Sequence, residues 1–408
     1  MKCRFCNTDL EHLFIDLQNS PASNSFLTEA ELDEPEIFYP LKVYTCHNCF
    51  LVQVDEYKKS GAIFSKDYAY FSSFSTSWLK HSKDYAEKMT SLLSLNSSST
   101  VVELASNDGY LLQYFNEKGI PVLGVEPTAN TAEVAIKRGI KTVVDFFGTR
   151  LANDLHKQGI SVDLLLGNNV LAHVPDIKDF VAGMQIILKE DGVITMEFPH
   201  LLQLVLNNQF DTIYHEHFSY LSFQTVKKIF ESQGLKLFDV EEISTHGGSL
   251  RIYATHLGNE KRPVSEAVEA LLKKEASHGM LDISFYDHFQ ESAFRIKAEL
   301  LKFLLDKKTE GKSIAGYGAA AKGNTLLNYC GIKSDMITMV ADASPYKQGK
   351  YLPASHIPVT TEQSLIESKP DFVIIFPWNL KTEVMEQLSY IREWGGKFVI
   401  PIPALQIL

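Results

Sequence analysis

The residues best suited to chemistry lie together in one short segment, which runs Tyr214, His215, Glu216, His217 and continues to Tyr220. Two histidines beside a carboxylate could bind a metal ion. Alternatively, one histidine could act as a general base that the neighbouring carboxylate orients. A polar surface loop would have a similar composition, so the rest of the chain must decide between these interpretations.

Four of the five cysteines form two Cys-x-x-Cys pairs, Cys3 with Cys6 and Cys46 with Cys49. Two residues between the thiolates allow both sulfurs to face one ion from a tight turn. In a reducing compartment this pattern indicates tetrahedral zinc more often than disulfides, a redox pair or an iron–sulfur centre being the alternatives. Four thiolates close the coordination shell, so the predicted zinc is structural and His47 is not needed as a ligand.

Size and composition narrow the class of protein. The 408 residues suffice for two or three domains, with the 45% hydrophobic and 22% charged content of a globular protein. A net charge of −11 without a long basic run argues against nucleic acid as a partner. No apolar stretch reaches the roughly 20 residues that span a membrane, and no apolar signal-peptide core is present. The sequence therefore predicts a cytoplasmic protein.

The elements that would position the reactive segment begin with a regular alternation of strand and helix patterns after Thr100. A helix pattern at 78–95 precedes them. The strand patterns lie at 101–105, 122–125, 142–144, 162–166 and 193–196, with an antiparallel pair at 236–240 and 250–254. A second alternation has strand patterns at 313–315, 336–340, 372–376 and 398–400. Both orders predict doubly wound parallel sheets whose ligands bind at the strand carboxyl ends.

We therefore predict an α/β chain in three parts. Residues 1–65 form a small N-terminal zinc-binding module, and residues 66–258 form a central Rossmann-like domain. Residues 259–408 contain a helical linker and a C-terminal Rossmann-like domain.

The turn after the first strand of the central domain, residues 103–109, predicts a nucleoside site. Glu126 ends the second strand, where a carboxylate can accept both ribose hydroxyls. Asp145 and Phe146, after the third strand, could hold an adenine by hydrogen bonding and stacking. The pattern fits a dinucleotide or S-adenosylmethionine, but the turn lacks the G-x-G-x-x-G spacing that cradles a pyrophosphate, which favours a nucleoside without phosphates.

Taken together, these motifs resemble the class I S-adenosylmethionine-dependent methyltransferases, and more closely the nucleotide-sugar C-methyltransferases of branched-chain deoxysugar biosynthesis. The resemblance spans the whole chain. It rests on the cysteine pairs, Glu126 and residues 68–73, 103–109, 167–176, 214–217, 246–251 and 316–324. It implies a structural zinc, a central methyltransferase domain and a C-terminal domain that helps to hold the nucleotide sugar.

The resemblance also implies roles for individual residues. The methyl group would go to carbon 3 of a dTDP-linked 4-keto-6-deoxy sugar, with His217 as base, Glu216 as its orienter, and Tyr214, His173 and Tyr68 or Tyr70 beside the sugar. The residues expected to bind S-adenosylmethionine are Glu103, Ala105, Asn107, Gly109, Glu126, Asp145, Phe146, Asn168 and Asn169. Those expected to bind the substrate further along the chain are Arg251, Tyr317, Lys322, Asn324, Lys347 and Trp378.

Elementary chemistry supports the same assignment. A carbon next to a carbonyl becomes nucleophilic when a base removes its proton, and the resulting enolate requires charge stabilisation but no metal. His215 is then a structural neighbour. An NAD-dependent sugar oxidoreductase or epimerase using the glycine-rich turn at 316–324 with Asp342 is the alternative, followed by a non-catalytic sugar-nucleotide binding protein. Carbon 5 as acceptor, GDP or CDP as carrier, and a monomer or homodimer stay open.

Overall fold

The computed structural model of the chain describes residues 1–57, 61 and 71–408. Tyr68 and Tyr70, predicted to line the sugar pocket, lie outside the described residues. The strands are β1 (His12–Ser20), β2 (Tyr39–Thr45), β3 (Val52–Val54), β4 (Val101–Leu104), β5 (Val122–Val125), β6 (Thr142–Val143), β7 (Val162–Asn168), β8 (Leu188–Pro199), β9 (Ser219–Tyr220), β10 (Leu235–Ile243), β11 (Ser249–His256), β12 (Ile314–Tyr317), β13 (Val340–Ala341), β14 (Val359–Thr360), β15 (Phe372–Ile375), β16 (Lys397–Ile400) and β17 (Gln406–Ile407).

The α-helices follow the alternation expected from the sequence. They are α1 (Thr76–Leu92), α2 (Leu112–Asn116), α3 (Ala129–Lys137), α4 (Thr149–Lys157), α5 (Ile177–Ile187), α6 (Leu201–Leu206), α7 (Phe223–Glu231), α8 (Glu266–Ser277), α9 (Phe289–Thr309), α10 (Ala321–Cys330), α11 (Glu362–Ser368) and α12 (Lys381–Gln387). None of the helices in the described ranges is long and apolar enough to cross a membrane.

The central sheet has the order β10-β11-β8-β7-β4-β5-β6. Strands β4 to β8 run parallel, and β11 pairs antiparallel with both β8 and β10. Apolar runs such as Val101–Leu104 are buried on both faces because helices cover the sheet on each side. The predicted doubly wound sheet with its closing antiparallel pair is confirmed. The order of the strands reverses between β4 and β7, and such a switch point is where these sheets bind ligands.

The C-terminal sheet has the order β14-β13-β12-β15-β16-β17, parallel except for β17. The strand predicted at 336–340 is wrong for most of its length, because only Val340–Ala341 pairs with its neighbours. Residues before it form a turn in which the amides of Met336 and Ile337 bond back to the carbonyl of Lys333. Ile337 is nevertheless buried, so an apolar residue inside a turn produced the strand pattern.

The N-terminal sheet has the order β1-β2-β3-β9 and is antiparallel. Its fourth strand, β9, comes from the segment directly after His217, so the predicted module of residues 1–65 is completed by residues far along the chain. The sheet shares one apolar core with α6, the segment around Phe218 and the C-terminal domain. The domain boundaries stay predictions, but the reactive segment lies where all three parts meet.

Candidate active site

A cavity of about 500 Å³ opens at the carboxyl ends of β4, β5 and β7. Its walls come from all three parts of the chain. Asn24 enters from the N-terminal module, and Ala320, Lys322 and Lys347 enter from the C-terminal domain. The central domain supplies the remainder, including both the nucleoside turn and the reactive segment. The sequence therefore correctly placed these two motifs on one side of the sheet.

The nucleoside turn is held by backbone geometry and by Glu126. Ala105, Asn107 and Gly109 have positive φ angles of 56°, 49° and 77°. At Gly109 a side chain would also meet neighbouring atoms at 3.1 Å, so glycine is required there. The Asn107 amide donates to Glu126 Oε2 at 2.8 Å, and the Thr128 amide and hydroxyl donate to Oε1. Burial raises the pKa of Glu126, although these donors favour the carboxylate.

Seven of the nine residues predicted to bind the cofactor line the cavity, and two do not. The seven are Ala105, Asn107, Glu126, Asp145, Phe146, Asn168 and Asn169. Glu103 is fully buried inside β4, and burial raises its pKa well above the usual carboxyl range. Glu103 and Gly109 are therefore placed to support the turn, and direct contact of these two residues with the cofactor stays a prediction.

Other cavity residues predicted to bind the cofactor supply an aromatic face and amide groups that have unused hydrogen-bonding capacity. Phe146 is 43% exposed beside the cavity, while Asp145 accepts the Phe146 amide at 2.8 Å and two hydrogen bonds from Arg150 at 2.7 Å. Asn168 Nδ2 and Asn169 Oδ1 are buried without a hydrogen-bond partner in the described residues. An aromatic face, the Glu126 carboxylate at the end of β5 and unused amide groups fit S-adenosylmethionine.

His217 stands at the centre of the other half of the cavity. Its Nδ1 lies 2.9 Å from the carbonyl oxygen of Thr212, so Nδ1 carries the proton and Nε2 keeps its lone pair. The ring centroid is 4.0 Å from that of Tyr214 and 4.6 Å from that of His173. Burial, then the proximity of His173, lowers the pKa of His217 well below its usual value. His217 is therefore a neutral imidazole whose Nε2 can accept a proton.

Glu216 has a different role from the predicted one. The acceptor that orients His217 is the Thr212 carbonyl, whereas the Glu216 carboxylate accepts a hydrogen bond of 2.7 Å from Asn24 Nδ2. His173 bonds to the backbone carbonyl of Glu216, and burial lowers the pKa of His173 to about 4. His215 faces away, with Nε2 3.2 Å from the Pro40 carbonyl, as its assignment as a structural neighbour requires.

Two of the six further substrate residues, Lys322 and Lys347, line the cavity. Lys322 Nζ donates to Asn379 Oδ1 at 2.7 Å and lies 4.5 Å from the centre of the Trp378 ring. Lys347 Nζ donates to the Ala319 carbonyl at 2.9 Å and lies 3.5 Å from Asp342 Oδ2. The C-terminal domain therefore brings two cations to the site of an acidic chain.

The other four do not line the cavity, because each is engaged elsewhere. The Tyr317 hydroxyl donates to Glu362 at 2.9 Å, and Asn324 Nδ2 donates to the Ser23 carbonyl at 2.6 Å. Trp378 Nε1 donates to Asp211 at 2.7 Å, and Arg251 pairs with Glu197 at 2.9 Å. Direct contact of these four residues with the substrate stays a prediction. Asn324 and Trp378 still act on the site indirectly, since Ser23 precedes Asn24 and Asp211 precedes Thr212.

The glycine-rich turn at 316–324 is closed to a dinucleotide. The Ala319 amide donates to Asp342 Oδ2 at 2.7 Å, much as the Asn107 amide donates to Glu126, so this contact does not distinguish the two turns. The Pro377 ring packs on Gly318, only 2.5 Å from where a Cβ would stand, so a pyrophosphate has no room to approach that backbone. The packing of Pro377 argues against the NAD-dependent alternative.

The four predicted zinc ligands are brought together. The sulfur of Cys3 lies 3.5 Å from that of Cys49, and the sulfur of Cys6 lies 3.5 Å from Cys46 and 3.6 Å from Cys49. Tetrahedral zinc with Zn–S bonds of about 2.3 Å separates its sulfurs by about 3.8 Å, so the cluster fits the ion. Gln53 Nε2 donates to Cys3 at 3.2 Å. The set leaves no open position for catalysis.

Sequence reasoning missed several residues of the cavity wall. Trp78 was assigned only to a helix pattern, yet its ring lies 5.3 Å from that of His246. His246 in turn accepts a hydrogen bond of 2.7 Å from Asn169. The motif at 246–251 pointed to this region, but the histidine and not Arg251 reaches the cavity. Asn24 and Thr212 carried no local signal.

Comparisons with known proteins agree with this arrangement. Three family models match in succession: a zinc binding domain over residues 3–64, a methyltransferase domain over residues 78–240 and a C-methyltransferase C-terminal domain over residues 244–403. The C-methyltransferase NovU of Streptomyces niveus is 32% identical over 409 residues, which cover 100% of this chain and 96% of NovU.

Solved structures resemble the chain only in part. An S-adenosylmethionine-dependent methyltransferase from Clostridium acetobutylicum is 12% identical, with a TM-score of 0.35 over 44% of this chain and 92% of its own. Magnesium protoporphyrin IX methyltransferase from Synechocystis, with bound SAH, is 14% identical, with a TM-score of 0.34 over 44% of this chain and 82% of its own.

The fold and the site thus define an S-adenosylmethionine-dependent C-methyltransferase with a zinc-binding N-terminal module. The chain belongs to the C-methyltransferase family that includes NovU.

Proposed function

We propose that this enzyme transfers a methyl group to carbon 3 of a dTDP-linked 4-keto-6-deoxyhexose, with His217 as the base. The observation that carries the proposal is the setting of His217. Its Nδ1 is fixed on the Thr212 carbonyl, its ring is neutral, and Tyr214 and His173 stand beside it in the same cavity as the nucleoside turn.

The chemistry assigned to these residues is the removal of a proton from a carbon next to a carbonyl. His217 Nε2 takes the proton, and the C–H electron pair forms a carbon–carbon double bond while the carbonyl π pair moves to oxygen. S-adenosylmethionine, when bound, supplies the methyl group to which that carbon forms its new bond. Tyr214 is placed to donate a hydrogen bond to the substrate, whereas His173, whose N–H bonds to the Glu216 carbonyl, is placed to accept one.

The substrate class is supported by charge as well as by resemblance. A nucleoside diphosphate sugar is anionic, and Lys347 brings a cation to the cavity from the C-terminal domain. We also propose that the enzyme works in the cytoplasm, because a zinc site of four reduced cysteines suits a reducing compartment. We further propose that it is a monomer or a homodimer.

The test uses S-adenosylmethionine with a ¹³C-labelled methyl group and several dTDP-4-keto-6-deoxyhexoses. NMR of the product is expected to show the label bonded to carbon 3. A label on carbon 5 would redirect the assignment, and an O-methyl ether or the absence of product with every sugar would overturn it. Competition by dTDP, GDP and CDP identifies the nucleotide.

The role of His217 is tested separately by hydrogen exchange. His217→Asn is expected to bind S-adenosylhomocysteine normally in calorimetry but to lose solvent deuterium exchange at the acidic sugar carbon. His215→Asn is the matched control, because this neighbouring ring bonds to the Pro40 carbonyl and not to the cavity. Exchange that persists in His217→Asn would remove His217 from the base role.

A further inference from the structure

We propose that Lys322 is a catalytic residue that stabilises the negative charge on the substrate's carbonyl oxygen while His217 removes the proton. The inference rests on the proposed function and deepens it, since it names the group that completes the proton-transfer step. It also replaces the expectation that Lys322 binds the diphosphate.

The first argument is the position of Lys322 in the fold. It lies in the first turn of α10, and Ala320, Ala321 and Lys322 all line the cavity. Ala320 provides no side-chain cap for the helix, so the positive end of the helix dipole faces the same space as the ammonium group. Negative charge that develops on a substrate oxygen there is stabilised by both.

The second argument is that Lys322 retains most of its donors, while burial lowers the pKa of its ammonium group and the nearby Asp211 carboxylate opposes that change. Asn379 Oδ1, a neutral acceptor, is its hydrogen-bond partner among the described residues, and the Trp378 ring covers one side. An ammonium group has three donors, so two remain for a ligand. Lys347 differs, because it is paired with Asp342 and bonded to the Ala319 carbonyl. Lys322 forms no ion pair with any described residue, although the Asp211 carboxylate is near enough to raise its pKa, so its remaining donors are the better partners for an enolate oxygen.

The third argument is the connection between Lys322 and the base. Trp378, which covers the lysine, donates to Asp211, and the next residue, Thr212, accepts from His217. One short turn, Phe210–Thr212, therefore positions both the proton acceptor and the cation. The lysine is close enough for its charge to lower the pKa of His217 and of His246. Enolate formation needs a base and an electrophile on adjacent substrate atoms, which this pairing supplies.

The decisive experiment separates chemistry from binding in Lys322→Met. Solvent deuterium exchange at saturating dTDP-sugar is expected to fall about 100- to 1000-fold, the usual effect of removing one oxyanion donor. Binding of dTDP and of S-adenosylhomocysteine in calorimetry is expected to stay within about threefold of the wild type. Lys297→Met is the matched control, because Lys297 also combines a carbonyl acceptor, on Tyr329, with an aromatic ring, but away from the cavity.

A second variant covers the case in which Lys322→Met fails to fold. Asn379→Ala keeps the lysine but removes its anchor, and a smaller loss of exchange with unchanged dTDP binding is expected. If either folded variant exchanges at the wild-type rate, or if Lys322→Met loses dTDP binding while exchange at saturation is preserved, Lys322 is not the enolate partner. A wild-type enzyme that transfers no methyl to sugar carbon would instead refute the proposed function itself.

Discussion

Replacing Asn24 with alanine is expected to slow methyl transfer about 10- to 150-fold although Asn24 lies in the zinc-binding module. Its Nδ2 donates to Glu216 Oε1 at 2.7 Å, and the Glu216 side chain is only 3% exposed. A hydrogen bond to a charged, buried group contributes about 1.5–3 kcal/mol, and about 1.4 kcal/mol corresponds to a factor of ten. Glu216 also presents its backbone carbonyl to His173, so its displacement disturbs two residues of the site.

A second substitution gives this prediction a pH signature. Asn24→Asp has nearly the same shape but places a carboxyl group against the Glu216 carboxylate. Two carboxylates at hydrogen-bond distance hold one proton between them at low pH, and this proton restores the missing donor. Activity of Asn24→Asp relative to the wild type is therefore expected to fall as pH rises from 6 to 8, whereas Asn24→Ala shows no such trend.

The assay is transfer of labelled methyl at saturating substrates, with Asn48→Ala as control. Asn48 belongs to the same module, but its exposed amide contacts Thr8 at 3.3 Å, and its replacement is expected to change the rate less than twofold. An Asn24→Ala enzyme with a rate within twofold of the wild type would refute the reasoning. Equal losses in Asn24→Ala and Asn48→Ala would show a general weakening of the module instead.

Three further predictions concern the base, the metal and the cofactor. Because the lowered pKa keeps His217 neutral as pH falls, the acid limb of kcat/KM is expected below pH 6.5, and a limb at or above that value would contradict it. Cys49→Ser is expected to lose bound zinc, measured by atomic absorption, and to lower the Tm; a full zinc content would contradict the assigned shell. Phe146→Ala is expected to weaken S-adenosylhomocysteine binding in calorimetry by about 1–3 kcal/mol, with exposed Phe74→Ala unchanged; equal effects would contradict adenine stacking.

The parts of the site that the sequence predicted well are local in the chain. Asn107 and Glu126 belong to one strand–turn–helix–strand unit, so the strand pattern and the turn residues place them without further information. The cysteine pairs were equally recognisable, since two residues between thiolates have a geometric meaning of their own. The residue types around His217 marked the segment as reactive, whereas its role as base was assigned by resemblance and stays a prediction.

The parts that could not be predicted depend on partners far apart in sequence. Asn24 lies 192 positions from Glu216, and a single asparagine in a polar loop carries no pattern. Arg251 has the chemistry to bind a phosphate, but burial opposite Glu197 commits it to an ion pair. Trp378 is committed in the same way to Asp211. Residue type indicates what a side chain can bind, whereas the tertiary fold decides which possible partner lies close enough to be bound.

Strand β9 has a consequence for biosynthesis of the chain. The edge of β3, Val52–Val54, stays unpaired until Ser219 and Tyr220 have been made about 165 residues later. At typical synthesis rates of about 5–20 residues per second, that interval lasts roughly 10–30 seconds. An open strand edge recruits other chains, and this one is only three residues long in a module that zinc already cross-links. The nascent enzyme thus cannot complete its first sheet until the segment directly after His217 has been made.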